Sequence, residues 1–346
     1  MLRPPKVVPG HPFPAQLRCS ALQCPSRRRL RCLVVLTVTQ SLLSTLVHAL
    51  ITSLVTVSAT ILHSHSLLEQ IAPNMSLILY LGLLTALTAP APAAAQTWTS
   101  CNPLNQTNCP PDTALGISNA TYNFATSSAG STWNTTNGNI VYGDQGAEFT
   151  INQKGDAPTI QSNFYIFFGE VEVWMKAAPG QGVVSTVVLE SDDLDEVDLE
   201  IVGSNTTHIE NNYYGKGNTT GEAQRAIWYP IATPAQTAFH NYTTRWTNES
   251  LEWYVDGTVV RTLNYADANG GASYPQTPMN VRIGVWPAGD PSNSNYTVAW
   301  AGGEIDYNKG PYTMYVQSAR ITDFSSGAEY KYGDKSGTWQ SIDIVA

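Results

Sequence analysis

The stretch Ser191–Gly203, SDDLDEVDLEIVG, places six acidic residues within ten positions of a chain in which only 13% of residues are charged. Within it Glu196, Asp198 and Glu200 alternate with Val197, Leu199 and Ile201. A strand sends every second side chain to one face. The spacing therefore predicts a strand with three apolar residues facing a core and three carboxylates side by side on the other face. Like charges so placed raise one another's pKa, which is costly on a bare surface. One chemistry that uses two cooperating carboxyls is glycosidic cleavage: one attacks the anomeric carbon and the other protonates the leaving oxygen. Positions 196 and 200 lie about 13 Å apart along an extended strand, against about 5–5.5 Å between the carboxyls of a retaining pair. Glu side chains leaning together on a curved strand close much of that gap, with the shorter Asp198 set to hydrogen-bond the nucleophile. Two other uses stay open on these residues alone: a calcium site drawing on Asp192, Asp193 and Asp195, and a solvated acidic edge.

The surrounding segments must position this strand. After Gln96 no helical period of useful length appears, whereas short β-rich runs recur between Gly, Pro, Asn and Asp. NFYIFFGEVEVWMKA alternates Val171, Val173 and Met175 with polar or bulky neighbours, and VVSTVVLES leads into the acidic strand. SLEWYVDGTVVRTL reads as a hairpin turning at Asp256-Gly257, with Trp253 on its apolar side. MNVRIGVWP, YTVAWAGG and YTMYVQSARITDF follow as further strands. In NVRIGVW, Val281, Ile283 and Val285 take one face, while Arg282, Gly284 and Trp286 offer a guanidinium, a gap and an indole on the other. That is a fitting floor for a sugar ring. Regular short strands over 96–346 predict one all-β sandwich.

Charge and cysteine usage bound the partners and the compartment. Seven of the 18 basic residues and one of the 27 acidic residues fall in the first 95 positions, leaving 11 against 26 and a net charge of −15 beyond them. Such a body excludes phosphate-binding roles and hence nucleic acid, and it suits a neutral polysaccharide. The segment 75–95 has the shape of a secretory signal ending near Ala95. The segment 33–62 upstream is long enough to span a bilayer. We read residues 1–74 as a gene-model extension or a signal anchor, with membrane attachment only in the second case. Cys101 and Cys109 form a natural local pair in an oxidising compartment. Asn105, Asn119, Asn134, Asn205, Asn218, Asn241, Asn248 and Asn295 each begin an N-x-S/T triplet, as in a secreted glycoprotein.

DEVDLE resembles the E-x-D-x-E signature of glycoside hydrolase family 16, whose members are concanavalin-like β-jelly-roll sandwiches and retaining enzymes. CNPLNQTNCPPDTALG, NYYGKG, FHNYTTRWTNESLEWYVDG, YPQTPMNVRIGVWPAGDPSNS, AWAGG and YGDKSGTWQSI resemble the fungal Crh-like subgroup, in colinear order from Cys101 to Ile342. The resemblance implies a single catalytic domain that cleaves chitin and transfers the chain to β-glucan or a chitin oligosaccharide. Such an enzyme cross-links the fungal wall, with chitin hydrolysis as a side reaction. It implies Glu196 as nucleophile, Glu200 as general acid/base and Asp198 as electrostatic helper, and sugar contacts from Glu200, Arg282, Trp286 and Thr297. Tyr214 and Lys216 of NYYGKG are further cleft candidates. Leu199 stands where many relatives carry Trp, and Ala299 where an acid is common. The reading calls for no metal and no cofactor, and for a monomer. Its rivals are a secreted β-glucan endo-hydrolase of the same fold and a lectin-like carbohydrate-binding protein. Binding alone has no need of two glutamates around an aspartate.

Overall fold

The computed structural model describes residues 98–128, 130–221 and 225–346, which fall within one compact unit, Pro90–Ala346. The expectations for 1–74 and 75–95 lie outside the described residues. In chain order the strands are β1 (Asp112–Thr113), β2 (Asn119–Asn123), β3 (Trp133–Asn137), β4 (Ile140–Gly143), β5 (Gly146–Ile151) and β6 (Thr159–Ser162). Then come β7 (Gly169–Lys176), β8 (Val184–Ser191), β9 (Glu196–Val202), β10 (His208–Tyr214), β11 (Ile227–Pro230) and β12 (His240–Trp246). The last are β13 (Ser250–Val255), β14 (Thr258–Asn264), β15 (Met279–Trp286), β16 (Tyr312–Asp323), β17 (Glu329–Tyr332) and β18 (Ile342–Val345).

Two antiparallel sheets stack as the β-jelly-roll sandwich. One has seven strands in the order β11-β10-β9-β8-β15-β6-β3; the other has eight, in the order β14-β13-β12-β7-β16-β5-β4 with β2 on β16. A small third sheet, β1-β17-β18, joins the two ends of the domain. The apolar alternation decides which faces meet. Val197, Leu199 and Ile201 of β9 and Val281, Ile283 and Val285 of β15 are all buried in one core with Val171, Val173 and Met175 of β7. β8 is buried along its whole length: it lies between β9 and β15, with Val187 and Leu189 in the core and Val188 under the cleft. The Asp256-Gly257 hairpin forms as expected, with both residues at positive φ (49° and 78°), the backbone that a tight two-residue turn demands. Trp253 is fully buried in that core.

Two expectations are corrected. The run read as a strand in YTVAWAGG is instead a short helix, α1 (Asn295–Trp300). Ser294 starts it by accepting a hydrogen bond from the Thr297 amide, an N-cap that overrides the β-branched residues following it. The gap expected at Gly284 is filled: a Cβ there would meet Thr159 Oγ1 at 2.5 Å and the Pro158 carbonyl at 2.9 Å. Glycine at 284 lets β6 approach β15; it does not open a groove for a ring.

Candidate active site

The register of three strands turns the carboxylate row into a lattice. Across β9, Glu196 is paired with Glu190 on β8 and Tyr214 on β10; Asp198 with Val188 and Asn212; Glu200 with Thr186 and Glu210. Directly paired residues in a sheet project to the same side, with Cβ atoms about 4.5–5.5 Å apart. The three acids therefore sit in a patch of nine residues, three on each of three strands, which includes two more glutamates. A cleft of about 460 Å³ opens over it. Its floor is Glu196, Asp198, Glu200, Glu210 and Asn212, with Tyr214 and Leu194 at one end and Trp228, Trp286 and Trp300 at the other.

The Trp end is built by packing. Trp286 and Trp300 stack with ring centroids 6.1 Å apart and planes 28° apart. The Trp300 indole donates to Glu210 Oε2 at 2.6 Å, which fastens α1 to β10. α1 in turn brings Thr297 and Tyr296 to the cleft lining. Of the expected sugar contacts, Glu200, Trp286, Thr297 and Tyr214 therefore converge on one cleft.

Arg282 and Lys216 do not line it. Arg282 is only 5% exposed. Its Nη1 is ion-paired with the buried Glu190, its Nε donates to Asn280 Oδ1 at 3.0 Å, and its Nη2 reaches the Trp98 carbonyl at 3.4 Å. Strand alternation assigns Arg282 the correct face but cannot tell that the N-terminal segment covers it. Lys216 turns away to the fully buried Asp195, its amide donating at 2.9 Å and its ammonium lying at 3.4 Å from the same oxygen.

The electrostatics follow from burial. Desolvation, then Asp198, and after it the charges of Glu190 and Glu200 hold the Glu196 carboxyl well above its ordinary 4.5. A hydrogen bond between the Glu196 and Asp198 side chains adds to that upward push. Asp198 is itself anchored from behind, where the Trp253 indole crosses the core to donate to its carbonyl at 3.0 Å.

The aspartates of the preceding turn are structural. Asp193 Oδ1 accepts from Ser191 and Thr277 hydroxyls at 2.6 and 2.7 Å, and Asp195 Oδ2 accepts from the Gln276 amide at 2.7 Å. Among the described residues no group of three or more His, Cys, Asp or Glu side chains is arranged to hold a metal ion. Burial pushes Asp195 up to about 7. Burial and then the charges of Asp192 and Asp193 push Asp112 up to about 9. For a carboxyl whose pKa rises on folding, the protonated form is the one the fold favours. Its contribution is complete below the ordinary value near 3.8 and is lost as pH climbs through about 9 for Asp112. The melting temperature should accordingly fall from pH 5 to pH 9, and Asp112→Asn should flatten that fall; calorimetry across the range checks it, and an equally steep fall in the variant would discard the assignment.

Sequence reasoning missed Glu190, Glu210, Trp228 and Trp300. For Glu210 a signal was present: in HIENNYY it alternates with Ile209, Asn211 and Tyr213 and shares a face with Asn212 and Tyr214. Cys101 and Cys109 are disulfide-bonded, as expected.

With this geometry in place, comparison with known proteins is decisive. The model of glycosyl hydrolases family 16 matches residues 127–302. The chain belongs to that family. It is 58% identical over 254 residues to Crh-like protein 2 of Botryotinia fuckeliana, covering 73% of this chain and 56% of the relative. It is 55% identical over 258 residues to Crh-like protein 5 of Aspergillus fumigatus, covering 74% and 65%. The chain thus spans less than two thirds of the length of either relative. The solved structure of Crh5 transglycosylase in complex with NAG is similar at TM-score 0.68 and 54% identity, covering 70% of this chain and 99% of that one. Among the described residues no helix is long and apolar enough to cross a membrane.

Proposed function

We propose that the domain 96–346 is a retaining transglycosylase that cuts chitin and passes the cut chain to β-glucan or a chitin oligosaccharide in the fungal wall, after export behind a leader at 75–95. The observation that carries this reading is the row Glu196, Asp198, Glu200 on the floor of a cleft with a tryptophan wall. The likeness to a transglycosylase solved with NAG supports it. In the first step Glu196 Oε attacks the anomeric carbon. The glycosidic C–O bond breaks, and the Glu200 proton goes to the departing oxygen. In the second step Glu200, now ionised, takes the proton of an acceptor hydroxyl whose oxygen displaces Glu196 and restores the original configuration. Asp198, hydrogen-bonded to Glu196, positions that carboxyl for attack.

The test is incubation of the secreted protein with a chitin oligosaccharide and a fluorescent glucan acceptor. Growth of the labelled chain is expected. Shortened chitin with no labelled product would make the protein a hydrolase. A sugar must outcompete water present at tens of molar, and holding its hydroxyl in line can contribute roughly 7–11 kcal/mol at the upper limit.

Tyr214→Ala should therefore raise the ratio of hydrolysis to transfer while the glycosyl-enzyme still forms. Trp286→Ala should lower kcat/KM for long chitin chains roughly tenfold, the scale of one lost aromatic platform. Product ratios at saturating donor measure the first and initial rates at donor concentrations below KM the second, and an unchanged value would remove the residue concerned from the sugar path. α1 shares the end of the cleft occupied by Trp286, opposite Tyr214, so the two substitutions report on separate ends.

A further inference from the structure

The N-x-S/T triplet that begins at Asn241 lies outside the cleft lining, and it has a surface prepared for it. Asn241 and Thr243 lie on β12, with Tyr242 between them buried in the core. Both side chains therefore project from the outer face of the eight-stranded sheet, opposite the cleft. Thr243 Oγ1 donates to Asn241 Oδ1 at 2.6 Å, which fixes the amide plane, and Nδ2 meets only Glu172 Oε2, at the long distance of 3.5 Å. Directly across the ladder from Asn241 stands Trp174 of β7. Its indole is 42% exposed, in the interior of a sheet whose neighbouring positions are charged: Arg320 with Glu172, and Arg245 with Glu170 and Glu252. On its other side Trp174 faces Ser318 of β16, too small to cover it. An apolar ring therefore stands open to solvent directly beside Asn241.

We propose that Asn241 carries an N-linked glycan whose first N-acetylglucosamine lies on the Trp174 indole. The spacing suits it: paired residues have Cβ atoms about 4.5–5.5 Å apart, so a pyranose bonded to Nδ2 lies beside the indole and can set its C–H face on the ring. Asn241 also sits at the end of the ladder, its backbone amide donating to Asp256 Oδ1 in the β13–β14 turn. The modification rests on the export reading above and precedes folding. The Asn241 amide nitrogen attacks C1 of a lipid-diphosphate-linked oligosaccharide, the C1–O bond to the diphosphate breaks, the lipid diphosphate leaves, and the amide loses one proton to a base of the transferring enzyme.

The test uses the full chain secreted from a eukaryotic host. Peptide mapping by mass spectrometry after enzymatic deglycosylation should find Asn241 converted to Asp. Asn241→Gln and Trp174→Ser should each lower the melting temperature by about 2–4 °C, the scale of one modest contact in a domain of this size. The double variant should be no lower than either single one. Cleft activity should be unchanged in all three. Occupied sequons elsewhere with an unmodified Asn241 would overturn this proposal alone. A chain that never enters the secretory route, with no sequon occupied, would overturn it together with the export reading. An occupied Asn241 whose effect persists undiminished in Trp174→Ser would overturn the stacking.

Discussion

Glu196→Gln should reduce transfer from chitin oligosaccharides by several orders of magnitude and abolish the covalent glycosyl-enzyme. On the proposed assignment its carboxylate is the atom that bonds to the anomeric carbon, and an amide cannot do so. Glu200→Gln should lose about 10²–10⁴-fold, the usual contribution of a positioned acid/base, with a different pattern. Donors whose leaving group needs no protonation should regain the first step and accumulate the intermediate, visible by mass spectrometry of the trapped protein. Added azide separates the two roles. It should give a glycosyl azide of retained configuration with the Glu200 variant and, where the Glu196 variant turns over at all, one of inverted configuration. Asp198→Asn should cost less than either, because it leaves both reacting carboxyls and alters only the group hydrogen-bonded to Glu196. The fold should survive all three changes, since Val197, Leu199 and Ile201 supply the core contacts of β9. If Glu196→Gln kept more than about a hundredth of the wild-type rate, far above what loss of the nucleophile allows, the assignment would fail.

What was legible in the sequence was periodicity. Alternation by twos in DEVDLEIV and NVRIGVW placed Val197 and Val281 in the core and Glu196 and Trp286 on the opposite face, because that pattern depends on the strand alone. Lateral order depends on the whole topology. β8 reads as VSTVVLES and is buried throughout, so nothing in its own pattern singles out Glu190 as the neighbour of Glu196. That pairing exists because β8 lies beside β9. Depth is equally illegible: Arg282 and Trp286 share a face, yet the first is covered by the Trp98 segment while the second lines the cleft. The helix at Asn295–Trp300 was misread because a six-residue segment is too short for a helical period, and its one local signal, the Ser294 cap, precedes a run with β-branched residues.

Trp253 is where the core reaches the chemistry, and it carries the largest expected loss of stability. Its indole belongs to the opposite sheet, is fully buried, and donates to the carbonyl of Asp198. Trp253→Ala should remove about 3–5 kcal/mol through lost burial and the cavity left behind, lowering the melting temperature by about 10 °C at roughly 2–4 °C per kcal/mol. That result alone would hold for any core tryptophan. Trp253→Phe is the sharper variant, since it keeps most of the volume and deletes the N–H. The carbonyl of Asp198 then loses its donor inside the core, at a cost of about 1–3 kcal/mol, and the backbone that presents the Asp198 carboxyl to Glu196 can shift. Arg261 stacks on the same indole, 4.8 Å from its ring centre, and its Nη1 donates to the Asn211 carbonyl on β10 at 3.1 Å, so a tilted ring would disturb β10 as well. The expected outcome is a folded protein with a lower kcat, a donor KM close to wild type, and an acid limb of the pH–rate profile displaced by the altered Glu196–Asp198 pair. A Trp253→Phe protein matching wild type in kcat and pH profile would reduce Trp253 to packing, and the support for Asp198 would have to be sought in its strand neighbours Val188 and Asn212.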